Sequence, residues 1–315
     1  MLRRRAINLM TVCAAAVAAE PSSAAEPWSG YAHAARTGDF YQLSLESGTW
    51  RGQWRKNPRA GKGVVYYRYY PFFCEQFRNL PDMAMLEIGL DTGGSLNLWR
   101  RYFPKAKVFG TDIKNKTHFS DERTQIFTAD QSDAAALQRM LDQVKLAMPV
   151  SLPTQQPFHF IVDDASHYPP DTIASFEYLF LNGLKPGGVY SLEDLSTSYD
   201  QILHARYGLY GHPKRDWDNV GRERELSVIN YFKEISDLVN RRWEAPPRGS
   251  SSWTHTYVNE PGKRMPSTAV AEWVSMVTFA QSIILVVKKT DDEYERWPNS
   301  CRPEDTKVRS GACVD

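Results

Sequence analysis

Met83 to Ser95 reads MAMLEIGLDTGGS, and this stretch decides the reading of the chain. From Met83 to Ile88 it is apolar except for Glu87, the composition of a strand buried on both faces. Gly89 to Gly94 then forms a tight loop, and Ser95 stands where it can cap a helix through Leu98, Trp99 and Tyr102 that Pro104 ends. A strand, a glycine-rich turn and a helix in that order open a parallel sheet covered on both faces.

The alternation continues downstream. Lys107 to Asp112 (KVFGTD), Gln125 to Ala129 (QIFTA), Phe158 to Asp163 (FHFIVD) and Val189 to Leu192 read as further strands. Ser132 is placed to cap a helix carrying Leu137, Met140, Leu141 and Val144 at helical spacing. Another helix begins near Pro170, turns Ile173, Phe176, Leu179 and Phe180 to one side, and stops at a turn over Lys185 to Gly188. Leu226 to Trp243 is amphipathic, and Trp273 to Phe279 with Ser282 to Val287 reads as a hairpin that adds an antiparallel terminal strand. The fold class is α/β, a Rossmann-like doubly wound sheet.

The chain has 315 residues, 42% of them hydrophobic, enough for a sizeable core. Its 38 Lys and Arg nearly balance 37 Asp and Glu, so no basic face awaits a nucleic acid. No apolar run is long enough to predict stable membrane insertion of the mature chain. Arg3, Arg4 and Arg5 precede an apolar stretch to Ala19, the layout of a targeting segment over residues 1–25: a secretory signal, or an organelle transit peptide. A frayed Ala-rich N-terminus is the plain alternative. Residues 26–82 read as an extension helping to cover the site, 83–290 as the main domain, and 291–315 as a tail. Cys301 and Cys313 flank the polar tail, either bridged in an oxidising compartment or as two unpaired thiols. The expected location is the secretory pathway or a Golgi-type lumen, with an organelle or the cytoplasm as alternatives.

The residues just after each strand are where an open α/β sheet binds its ligands. Gly89, Gly93 and Gly94 allow close backbone approach, and the following helix presents free N–H groups to an acceptor. The pattern is not GxGxxG. Asp112 ends the second strand, where a carboxylate can accept both hydroxyls of a ribose, and Asp130 ends the third. Alone, either is as readily a cap or turn residue; with the glycine loop they point to a nucleoside-type ligand. Asp163 and Asp164 follow the fourth strand, and Glu193 and Asp194 the fifth. Four neighbouring carboxylates repel unless a cation or proton sits among them, which implies a hard, oxygen-liganded metal, magnesium or else manganese. His167 lies in the same loop, within reach of a substrate proton. Solvated loop acids and a surface histidine are the plain alternative.

The segments LEIGLDTGGSLNLWRRYFP, VFGTDI, FIVDDASH, LKPGGVYSLEDLSTSY and VTFAQSIILVVKK resemble the class I S-adenosylmethionine-dependent methyltransferases. More narrowly, the chain is similar from about Tyr66 to Lys289 to the metal-dependent macrolide-sugar O-methyltransferases of the mycinamicin and macrocin type. DDxSH followed by EDLxTSY is the most specific part. The resemblance implies that Glu87, Gly89, Asp91, Gly93 and Ser95 border the methionine part of S-adenosylmethionine, that Asp112 holds the ribose, and that Asp130 and Gln131 flank the adenine. It also puts Asp163 on the cofactor side and lines that site with Tyr66 and Tyr70. It makes Asp164, Glu193 and Asp194 the metal ligands and His167 the general base.

The implied reaction is methyl transfer to a hydroxyl of a sugar or other vicinal-diol acceptor, small molecule or glycan; a catechol suits the same geometry. The segments SGTWRGQWRKNPRAGKG and Tyr199 to Arg224 depart from the family, which leaves the acceptor open, as is assembly into a homo-oligomer. Two rival readings remain: a non-catalytic S-adenosylmethionine-binding protein, and a nicotinamide oxidoreductase, which the missing GxGxxG disfavours.

Overall fold

The computed structural model describes residues 39–47, 66–148, 156–198, 227–240 and 266–296. The targeting segment, the region from Tyr199 to Arg224, Cys301 and Cys313 lie outside them. No helix among the described residues is long and apolar enough to cross a membrane.

Among the described residues seven strands form one sheet: β1 (Ala84–Ile88), β2 (Lys107–Asp112), β3 (Thr124–Thr128), β4 (Phe158–Asp163), β5 (Leu184–Leu192), β6 (Val274–Ala280) and β7 (Ile283–Lys288). Their order is β3-β2-β1-β4-β5-β7-β6. The first five run parallel, and β7 is antiparallel to both β5 and β6. Strand order reverses between β1 and β4, opening the crevice in which such sheets bind ligands. The α/β reading and the antiparallel terminal strand agree with this topology.

The helices are α1 (Asp39–Glu46), α2 (Tyr70–Cys74), α3 (Gly94–Tyr102), α4 (Ala134–Ala147), α5 (Pro169–Asn182), α6 (Val228–Asn240), α7 (Thr268–Trp273) and α8 (Asp291–Arg296). Side chains alternate across each strand, so the sheet separates two cores. Ala84, Leu86 and Ile88 face one, packed with Leu137 and Leu141 of α4 and Phe176 and Phe180 of α5. Met85, Val108 and Phe160 face the other. There the N-terminal extension joins the core: Phe40 packs edge-on against Tyr102 at 4.9 Å, and Tyr70 against Trp99 at 5.2 Å.

Three local expectations need correction. Ser95 does not cap α3, which starts from Gly93 without a side-chain cap; the Ser95 hydroxyl is drawn instead to the buried Glu87 at 2.8 Å. Ser132 does not cap α4, because Asp133 accepts from the Ala135 N–H while the Ser132 hydroxyl bonds Asp130. The turn over Lys185 to Gly188 belongs to β5, since α5 already ends at Asn182 and Gly183. A register shift between Phe158 and Phe160 in the β4–β5 ladder, with Gly187 at φ 75°, absorbs those residues.

Lys288, at the end of β7, is fully buried and donates to the carbonyls of Phe180 at 2.7 Å and Leu184 at 2.8 Å. It lies over the rings of Phe180 and Trp273, tying the end of α5 to the antiparallel edge. Burial pushes its ammonium down from 10.5 to about 8. The unfolded chain therefore holds this proton to higher pH than the fold, and the contribution of Lys288 to stability rises as pH climbs from about 8 to 10.5. Lys288→Met should lose about 1–3 kcal/mol at pH 7 through the orphaned carbonyls. In urea unfolding from pH 7 to 10.5, that rise should be absent from the variant.

Candidate functional site

The parallel ladder continues one residue past the strands, and that continuation builds the site. Gly89 N–H donates to Thr111 O at 2.8 Å, Asp164 N–H to Ile88 O at 2.9 Å, and Glu193 N–H to Asp163 O at 2.9 Å. The chains leaving β1, β4 and β5 are thus fixed side by side. Gly89 sits at φ 86°, and a Cβ there would lie 2.3 Å from the Asp164 carbonyl oxygen, so the approach requires glycine.

On the glycine-loop side, Asp91 is exposed with φ 39°, and Gly93 at φ 75° opens α3 with its N–H groups toward the loop. Asp112 is half-buried; one carboxylate oxygen accepts from Leu90 N–H at 3.0 Å and the other from Lys114 N–H at 2.8 Å. Both oxygens keep acceptor capacity for a pair of hydroxyls. Asp130 closes a turn, accepting from the Ser132 N–H and hydroxyl at 2.9 and 2.8 Å.

Gln131 and Asp163 face each other in the interior. The Gln131 amide donates to both Asp163 oxygens at 3.3 Å, while its own oxygen accepts from Ser166 N–H at 2.9 Å. Asp163 also accepts from Ser175 at 2.6 Å and Tyr190 at 3.2 Å. Burial pushes its carboxyl up to about 6 despite these donors. This pair ties the exits of β3 and β4 to α5.

Asp164, His167 and Asp194 each bring one ligand atom to a common point, all within 4.8 Å of one another. His167 Nε2 lies 3.7 Å from Asp164 Oδ1 and 3.8 Å from Asp194 Oδ2. His167 (φ 53°) and Asp194 (φ 56°) both adopt the left-handed conformation, strain of a kind that concentrates at functional sites. Glu193 is outside this trio. It is buried, and the Tyr70 hydroxyl donates to it. Tyr66 donates to Asp194 Oδ1 at 3.1 Å and accepts from the Asp194 N–H at 2.8 Å. Burial, reinforced by Asp194 and Glu193, raises the Tyr66 phenol well above its usual range, so it stays a proton donor. The two tyrosines expected along the cofactor thus aim their hydroxyls at the carboxylates. Their aromatic setting in YYRYYPFF was visible in the sequence; their partners, more than 120 residues away, were not.

No family model matches the chain. The MycE methyltransferase of the mycinamycin biosynthetic pathway, solved in complex with Mg and SAH, superposes with a TM-score of 0.57 at 24% identity, over 82% of this chain and 56% of its own. The same enzyme with Mg, SAH and mycinamycin VI gives 0.55 at 23% identity, over 82% and 57%. The chain has the class I methyltransferase fold. In sequence it resembles macrolide and sugar O-methyltransferases. It is 38% identical over 150 residues to the 8-demethyl-8-alpha-L-rhamnosyl tetracenomycin-C 2'-O-methyltransferase of Streptomyces olivaceus, 45% of this chain and 36% of the relative. It is 31% identical over 149 residues to the mycinamicin VI 2''-O-methyltransferase of Micromonospora griseorubida, 45% and 34%. The match therefore spans about a third of the length of these curated relatives.

In this methyltransferase fold the Gly89 contact should be intolerant of any side chain. Gly89→Ala adds ~1–3 kcal/mol of overpacking to ~1–2 kcal/mol for the left-handed backbone. Urea denaturation should show a loss of that order, and a change under 1 kcal/mol would contradict the close approach.

Proposed function

We propose that this chain transfers a methyl group from S-adenosylmethionine to a hydroxyl of a sugar or other vicinal-diol acceptor, assisted by magnesium or manganese. The observation that carries the proposal is the convergence of Asp164, His167 and Asp194 beside the glycine loop, at the crevice of a methyltransferase fold. The named relatives, methylating rhamnosyl tetracenomycin and mycinamicin VI, support a sugar hydroxyl as the acceptor class.

The residues fit both groups. Asp112, oriented by two backbone N–H donors, offers oxygens to a ribose, and the N-terminus of α3 faces the glycine loop that would border the methionine part. Glu87, Asp91 and Ser95 would complete that border, with Asp130 toward the adenine. Asp164 and Asp194 would hold the metal, with Glu193 as third ligand through its other carboxylate oxygen while Tyr70 holds Oε1. A bound divalent metal supplies a lowered pKa for a neighbouring hydroxyl and a fixed orientation for two acceptor oxygens. His167 Nε2 would accept the proton that the acceptor hydroxyl gives up in exchange for the methyl group. The carboxylates of Asp164 and Asp194, 3.7 and 3.8 Å from Nε2, would stabilise the imidazolium so formed, and holding the acceptor hydroxyl in line with the donor would supply much of the acceleration.

A second reading makes His167 a ligand in place of Glu193, because its Nε2 completes the trio while Glu193 lies outside it. His167→Ala separates the two. Loss of a base should lower kcat ~100-fold or more with metal affinity kept. Loss of a ligand should weaken metal binding itself, read by titrating Mn2+.

The deciding experiment is a methyl-transfer screen over sugars, glycosides and catechols, with magnesium or with EDTA. Transfer should require the metal and disappear in Asp164→Asn; equal turnover in EDTA would refute the metal assignment. Asp112→Ala should raise the Kd for S-adenosylmethionine about tenfold or more through lost ribose hydrogen bonds, leaving metal binding unchanged. We also infer removal of the Arg-led leader, for which N-terminal sequencing of native protein should find a start after Ala19 or Ala25.

A further inference from the structure

We propose that Tyr66 and Tyr70 are positioning residues for the metal: their hydroxyls, delivered from the N-terminal extension, aim the carboxylates of Asp194 and Glu193. This rests on the metal reading above. The Tyr66 hydroxyl occupies Asp194 Oδ1 at 3.1 Å, and the other oxygen, Oδ2, is the one that approaches His167 at 3.8 Å. One oxygen is held from behind and its partner faces the site. The same hydroxyl accepts from the Asp194 N–H at 2.8 Å, so it also braces a residue at φ 56°. Its single proton faces a second acceptor, Ser282 O at 3.0 Å, and that carbonyl also takes the Leu195 N–H at 3.2 Å. Tyr66 thereby links the turn after β5 to the turn between β6 and β7.

Tyr70 acts one residue earlier, donating to Glu193 and lying 3.1 Å from the Ser191 hydroxyl. Neither phenol can swing away. The Tyr70 ring is wedged among Phe40, Trp99 and Phe160 at 5.2–5.8 Å, and the Tyr66 ring lies edge-on to it at 6.3 Å.

The choice of a phenol has a physical reason. A lysine or arginine in these positions would neutralise the carboxylates and weaken their attraction for a divalent cation. A phenylalanine would leave buried carboxylate oxygens without these donors. A neutral hydroxyl orients the acid and preserves its charge, the arrangement by which partners behind a metal ligand sharpen its affinity.

The test is Tyr66→Phe and Tyr70→Phe, each measured on the full chain with S-adenosylhomocysteine bound, by Mn2+ titration followed by electron paramagnetic resonance. The expected result is a metal Kd raised ~10- to 100-fold, an unchanged S-adenosylhomocysteine Kd, and recovery of kcat at saturating metal. Tyr102→Phe is the control. It removes a hydroxyl from the same aromatic cluster, bonded to Glu75 at 2.6 Å, and should leave the metal Kd as in wild type. Folded Tyr66→Phe and Tyr70→Phe proteins with a metal Kd within twofold of wild type would overturn the proposal alone. A wild-type chain that binds no Mn2+ would overturn the metal reading and this proposal together. Should Tyr66→Phe fail to fold, Tyr70→Phe carries the same measurement at Glu193.

Discussion

The parallel ladder running one residue beyond its strands is the interaction on which the rest of the molecule depends. Each of the bonds from Gly89 to Thr111, Asp164 to Ile88 and Glu193 to Asp163 is an ordinary backbone hydrogen bond. Together they fix three departing chains in register at the carboxyl end of the sheet, where loops would otherwise fan apart. Gly89 makes this possible by having no Cβ to push against the Asp164 carbonyl. Rigid strands thus place polar groups that irregular loops alone would hold poorly.

Alternation along β4 then sorts two successive acids. Asp163 keeps the inward direction of Ile161 and meets Gln131, Ser175 and Tyr190 in the interior. Asp164 turns to the opposite side and meets His167. One residue of sequence separates a carboxylate that holds the sheet to a helix from one that faces the crevice. Burial favours the neutral form of the first, while the second is partly open to solvent.

Much of this was legible because it is local or periodic. All five parallel strands have their carboxyl ends placed within a residue, four of them to the residue, and Asp112, Asp164, Glu193 and Asp194 follow directly from those ends. What could not be read depends on which partner a polar side chain meets once the fold has formed. Ser95 and Ser132 have the composition of caps, but a buried Glu87 and a turn at Asp130 outcompete the helix ends for their hydroxyls. Lys288 looks like a solvated end of strand until the carbonyls ending α5 arrive above it. The hydrogen bond between Gln131 and Asp163, 32 residues apart, is likewise invisible in the sequence.

The insertion of β7 between β5 and β6 has a consequence for how the molecule is made. A ribosome delivers β5 roughly ninety residues before the strand that pairs with its free side, so that edge waits while the intervening chain is synthesised. The Ser282 carbonyl, against which Tyr66 and Leu195 are set, emerges only with the hairpin. Chains shorter than that contain β1 to β5 and the glycine loop, yet they lack the turn that steadies Asp194. The β1–β3 side of the crevice is therefore complete in sequence well before the β5 side, which waits for the strand that closes the sheet.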